Sequence, residues 1–143
     1  LKSTKELFFA IPKYMRHLYF FLISIFLISC DSKEEPDFSF ELTQWKKDKN
    51  ACEGFRSSNK SELVNSKEVF LRWPERQVNS FFGRPDRHRL SKRHQKFYVY
   101  FLEEGKQCDQ SIDEYGEFLQ LRFDATGYVN EIEIRNDFEQ LID

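Results

Sequence analysis

The sequence predicts an α+β fold in which two N-terminal helices pack on a three- or four-stranded antiparallel sheet. Three observations carry this. A short helix with both ends marked lies between Trp73 and Gly83. The stretch Phe97-Tyr98-Val99-Tyr100-Phe101-Leu102 is dense in strand-forming residues. Two segments of alternating polarity flank the turn Asp124-Ala125-Thr126-Gly127. Helices that precede a run of hairpin-linked strands bury their apolar stripes on one face of the resulting sheet.

The N-terminal residues follow another pattern. Arg16 and His17 precede an eleven-residue apolar run at 18–28, and Ser29 stands before Cys30. A cationic stretch, an apolar core and a small residue form the three parts of an export signal. A bilayer-spanning helix needs about 20 apolar residues, whereas roughly 10–14 suits a signal core. Leu27-Ile28-Ser29-Cys30 resembles the lipobox of bacterial lipoproteins, which implies cleavage before Cys30 and acylation of that cysteine, palmitate included. Residues 15–29 are therefore expected to be a signal peptide starting at Met15. Residues 1–14 are expected to be an upstream, non-native extension.

Residues 30–40 form an acidic tether with Pro36 and no large apolar residue before Phe38. Asp31 resembles an inner-membrane retention signal. Lys33-Glu34-Glu35 resembles a surface-export signal of another bacterial group, and the outer membrane is the preferred location. Without residues 1–29, which hold four basic residues and one acid, the chain keeps 18 basic and 23 acidic residues, a net charge of −5. That balance argues against a nucleic-acid partner. The remaining 114 residues suffice for one small domain, expected over residues 41–143.

Within it, Leu63, Val64, Val69 and Phe70 fall near one helical face and predict a helix over residues 56–71. Pro74 at the first helical position, Glu75 at the positive end of the dipole, and Val78, Phe81 and Phe82 on one face predict the second helix. Gly83 is expected to form a left-handed cap, and Pro85 stops continuation. Basic residues fill 87–96, and the strand after them is apolar on one face (Phe97, Val99, Phe101) and tyrosine-bearing on the other. Leu119, Leu121 and Phe123 alternate with Gln120 and Arg122. After the turn, Ile132 and Ile134 are expected inward with Glu131 and Glu133 outward. A last short helix is expected over residues 137–142.

Two cysteines remain after Cys30, and in an oxidising compartment they read as one disulfide, Cys52–Cys108. Two unrelated thiols are the alternative.

The segment Phe81-Phe82-Gly83-Arg84-Pro85-Asp86, the tyrosine strand and the closing hairpin resemble the SmpA/OmlA, or BamE-like, lipoproteins. Val78, Phe82, Gly83, Pro85, Tyr98, Tyr100, Phe123 and Gly127 match that pattern over residues 72–134. The resemblance implies a membrane-anchored, non-catalytic binding or scaffolding module of the cell envelope, active in outer-membrane assembly or integrity.

No nucleophile elbow, phosphate loop, zinc-protease motif or dinucleotide fingerprint occurs, and no cofactor is expected. His88 and His94 with the cysteines could bind zinc, but the cations around them oppose it, and solvated histidines are the simpler reading. Cys108 as a catalytic thiol would need a base beside it. The basic stretch is the candidate site: Arg84, Arg87, Arg89, Arg93 and Lys96, with Tyr98 and Tyr100 adding contact area. One reading is a solvated loop balanced by Glu103, Glu104, Asp113 and Glu114. The other is a patch facing anionic lipid headgroups or an acidic envelope protein. The alternative function is an envelope enzyme whose site is too dispersed to see.

Overall fold

The eleven phenylalanines, four tyrosines and two tryptophans among the described residues need a core that interlocks large flat rings, and the fold supplies one between helices and sheet. The computed structural model describes residues 35–90 and 95–138. The expected signal peptide, Cys30, most of the first half of the expected tether, Arg93, His94 and the expected last helix beyond Phe138 lie outside them. Strands β1 (Arg87–Leu90), β2 (Lys96–Phe101), β3 (Phe118–Phe123) and β4 (Val129–Arg135) form an antiparallel sheet in the order β1-β2-β3-β4. Ahead of it come α1 (Leu42–Lys47), α2 (Phe55–Ser58), α3 (Lys60–Ser66) and α4 (Glu75–Phe82). Among the described residues no helix is long and apolar enough to cross a membrane.

The helix expected over 56–71 is broken. Asn59 leaves helical geometry and its amide donates to the Phe55 carbonyl at 2.8 Å, the local competition by which asparagine interrupts helices. After α3 the chain winds as a 3₁₀ turn, Lys67–Phe70. Three residues per turn advance each side chain by about 120° rather than 100°. Leu63 and Phe70 therefore stay buried while Val69 turns outward, 43% exposed, against expectation. Helix α1 carried no clear sequence signal, being only six residues long; Trp45 buries it. Phe38 and Phe40, at the end of the expected tether, stack at 4.7 Å, and Phe38 also meets Phe70 and Phe81.

The second predicted helix is α4, starting one residue later than expected with Pro74 as its cap residue. Its start is tied to the sheet: Glu75 N–H donates to the Gly127 carbonyl at 2.9 Å. Its end turns at Gly83, where φ is 79° and ψ −169°. The positive φ is as expected, but the ψ lies outside the left-handed helical region, in a region open essentially to glycine alone.

The helices cover the tyrosine face of β2. Tyr98, Tyr100 and Leu102, Leu119, Leu121 and Phe123, and Val129 and Ile132 pack under Trp45, Phe70, Trp73, Val78, Phe81 and Phe82. Tyrosine suits this layer because its hydroxyl finds a partner at the rim: Tyr100 donates to the Gly83 carbonyl at 2.9 Å, and Tyr98 to Glu75. Tyr100 has no exposed surface and so adds no contact area, against expectation, while Tyr98, 6% exposed, shows only an edge, in a cleft on the helix side of the sheet. The opposite face holds a smaller cluster of Ala51, Val99, Phe101, Phe118 and Phe138.

Cys52 and Cys108 are joined, with Cα atoms 5.5 Å apart, as the cysteine count predicts. The bond fastens the loop after β2 to the segment before α2; closing 56 residues of sequence contributes roughly 4 kcal/mol in the chain-entropy model. Gly105 and Gly116 bring that loop's two limbs together so closely that a Cβ on either would collide with the other limb's backbone.

At the junction of these parts sits Arg56, fully buried against Asp86, whose side chain is also fully buried. Asp86→Ala should strand the guanidinium and lower unfolding free energy by about 3–5 kcal/mol in urea titration. Gly83→Val should cost about 1 kcal/mol or more, because it adds a strained φ and presses a Cβ onto Lys46 Cγ at 3.2 Å; an unchanged thermal midpoint would contradict that.

Candidate functional site

Strand register decides which side chains share a surface. Arg87 pairs with Val99, Val99 with Gln120, and Gln120 with Glu133, so these four form one row across the sheet. Arg89, Phe97, Arg122 and Glu131 form the next. Both rows lie on the face away from the helices. Tyr115 and Phe138 cover one end of that face, stacking on Phe101 and Phe118. Beside them a groove of about 360 Å³ remains, with Phe97, Val99 and Gln120 in its floor, Arg87 and Arg89 on one side, and Arg135 and Phe138 on the other.

The two sides differ electrically. Arg135 is occupied: Nε donates to Asp137 Oδ1 at 2.7 Å and Nη2 to Oδ2 at 2.5 Å, with Glu133 at 3.4 Å. Arg122 is occupied by Glu131 at 2.5 Å. Among the described residues Arg87 donates only to uncharged oxygens, Asn50 Oδ1 at 3.1 Å and the Asp86 carbonyl at 2.7 Å, and its guanidinium lies 5.8 Å from the Phe101 ring. Arg89 has no ion pair among the described residues. The β1 side of the groove therefore presents two positive charges that no described carboxylate balances. In the floor, Gln120 is 4% exposed and its Nε2 donates to Glu133 Oε2 at 3.3 Å. Its Oε1 is buried and has no partner among the described residues. Reversing the amide would set two acceptors face to face, so the carbonyl is the free group.

The other predicted residues are dispersed. Lys96 points to the helix side, where its ammonium donates to Glu75 Oε2 at 2.6 Å. Arg84 is exposed at the end of α4 and belongs to a second, shallower cleft with Glu75, Asn79, His88, Lys96 and Tyr98. His88 meets Tyr98 edge-on at 6.4 Å. Arg93 and His94 lie outside the described residues. Among those described, no group of three or more His, Cys, Asp and Glu is placed to hold a metal. The basic stretch is thus divided by strand alternation: Arg87 and Arg89 on the open face, Lys96 and His88 on the other. Sequence reasoning missed Gln120, Arg135 and Phe138 as neighbours of the arginines. Only the register, which a linear pattern does not contain, brings them together.

Comparison with protein-family models, curated proteins and solved structures gives no match for this chain.

The second cleft is built on mutual neutralisation. Burial works to raise the Glu75 carboxyl, but hydrogen bonds from Lys96 and Tyr98 outweigh it and hold the group below its ordinary 4.5. The bond to Glu75 raises Lys96, and burial followed by the same carboxylate raises Tyr98. A depressed carboxyl contributes stability above its unfolded value and loses it as pH falls through the folded one. Wild type should therefore lose stability on acidification below about pH 4.5, and Glu75→Gln should show a flatter acid limb in thermal midpoints measured across pH. Parallel limbs would remove this linkage.

Proposed function

We propose that this chain is an envelope lipoprotein, anchored by lipid on Cys30, whose domain is a non-catalytic binding module working on the open face of its sheet. The observation that carries the reading is the groove floored by Phe97 and Val99 and sided by Arg87 and Arg89, whose charges are left over after internal pairing. An apolar floor with a few convergent polar groups is the usual form of a ligand site. Two surplus guanidinium groups select an anion. The lipobox-like Leu27-Ile28-Ser29-Cys30 supports the anchor, and the BamE-like pattern supports a place in outer-membrane assembly or integrity.

Glu75, Lys96 and Tyr98 bond mutually, and the two cysteines share a disulfide. This supports binding over catalysis as the working reading. The partner is an anionic group on an envelope component, and the surface it meets is β1 rather than the whole basic stretch.

Two experiments test this. Cys30→Ala should release the protein from the membrane fraction or leave an uncut precursor, as fractionation and intact mass would read; normal processing with membrane recovery would end the anchoring proposal. Arg87→Glu with Arg89→Glu should abolish envelope co-purification after crosslinking in the native host, while unchanged partners would end the binding-face proposal.

A further inference from the structure

Resting on that reading, we infer that the groove takes the free C-terminus of a peptide whose last residue is apolar. Three requirements converge on it. First, Arg87 and Arg89 call for an oxyanion. Arg87 is already held by Asn50 Oδ1 and the Asp86 carbonyl, so its remaining N–H groups are presented without further ordering. Asp86 does not cancel it, because that carboxylate is spent on Arg56 and on the Phe101 and Asn50 N–H groups. Across the groove the carboxylates of Glu133 and Asp137 share the single charge of Arg135, with Gln120 donating to Glu133, so these three arginines and two carboxylates sum to one positive charge, carried on the β1 side.

Second, the buried Gln120 carbonyl calls for a donor. That carbonyl is out of reach of solvent in the unliganded groove, so a ligand N–H or O–H meets it only after the Gln120 side chain turns about its terminal torsions, and the bond then relieves a costly unpartnered acceptor. A simple fatty acid offers no donor once its carboxyl is ionised. Arg87, Val99 and Gln120 are successive partners in one row, so the anion and donor sites are about two strand spacings apart, roughly 10 Å at the backbone. A chain end supplies both groups close together: its carboxylate and the N–H of its last peptide bond.

Third, Phe97, Val99 and Phe138 call for an apolar body beside those polar groups. The volume of about 360 Å³ is near the lower end for ligand sites, roughly 300–1,000 Å³. It admits one side chain and a short length of backbone, and is small for a two-chain lipid.

The test uses the purified mature lipoprotein in detergent and three acetylated tetrapeptides ending in leucine, followed by titration calorimetry. One peptide has a free carboxylate, one a C-terminal amide, and one a free carboxylate with the last peptide nitrogen methylated. The free acid should bind at least tenfold tighter than the amide and severalfold tighter than the methylated peptide. Arg89→Gln should erase the acid-over-amide preference. Gln120→Leu should erase only the penalty for methylation, and circular dichroism would show that both variants are folded. Equal binding of acid and amide, no binding of any peptide, or tighter binding of dodecanoate than of the free-acid peptide would each overturn the inference. If it falls while the Arg87 and Arg89 reversals still abolish co-purification, the binding-face proposal stands and only the ligand class is wrong.

Discussion

Arg56 carries a guanidinium into a fully buried position, and the arrangement of everything before the sheet follows from how that charge is met. Taking such an ion out of water costs several kcal/mol even after relaxation, so partners must be brought to it. Asp86, at the entrance to β1, supplies the countercharge. The carbonyls of Trp45 in α1 and Phe101 in β2 accept from Nε and Nη1 at 3.2 and 3.1 Å, and the Trp45 ring lies 4.9 Å from the guanidinium carbon. One side chain thus ties α1, α2, the α4–β1 connection and β2. Asp48 adds a second tie, accepting the Arg56 and Glu53 N–H groups at 2.8 Å each and so completing the start of α2. Helices of four to seven residues are marginal alone. Here they are held by burial and by this network.

The same network bears on the groove. Because Asp86 faces inward to Arg56, Arg87 immediately after it must face the opposite side of the strand, where it meets Asn50 and the Phe101 ring. A buried ion pair in the core therefore fixes the direction of an unpaired cation on the surface. The disulfide works toward the same end: it fastens the segment holding Asn50 and Ala51 to the loop beyond β2, and Gln107 Nε2 adds a bond to the Asn50 carbonyl at 3.1 Å.

The two faces of the sheet show how polarity patterns alone can misplace a core. Phe97, Val99 and Phe101 are the more apolar set in β2, yet the helices cover the tyrosines. Tyrosine rings bury as much area as phenylalanine, and their hydroxyls reach α4 at Gly83 and Glu75, so the polar tips cost little there. Phe97 and Val99 are left to floor a groove rather than to seal one.

Much of the architecture was legible because it depends on local causes. Strand alternation placed Leu119, Leu121 and Phe123 together and Ile132 with Ile134; Asp124 and Gly127 marked the turn; proline and glycine bounded α4; the cysteine count indicated the disulfide. Asp124 shows how local such signals are: side-chain and backbone bonds from Thr126 and Tyr128 hold its carboxyl down at about 2 within a five-residue turn. What the tertiary structure alone decided depends on distance in sequence. Nothing near Arg56 in the chain announces Asp86 thirty residues on. Gln120 looked like the polar half of an alternating strand, until the register set it beside Val99 and in one row with Arg87. Side-chain periodicity gives a residue's face but not its neighbour, because pairing between strands is settled by the packing of the whole sheet.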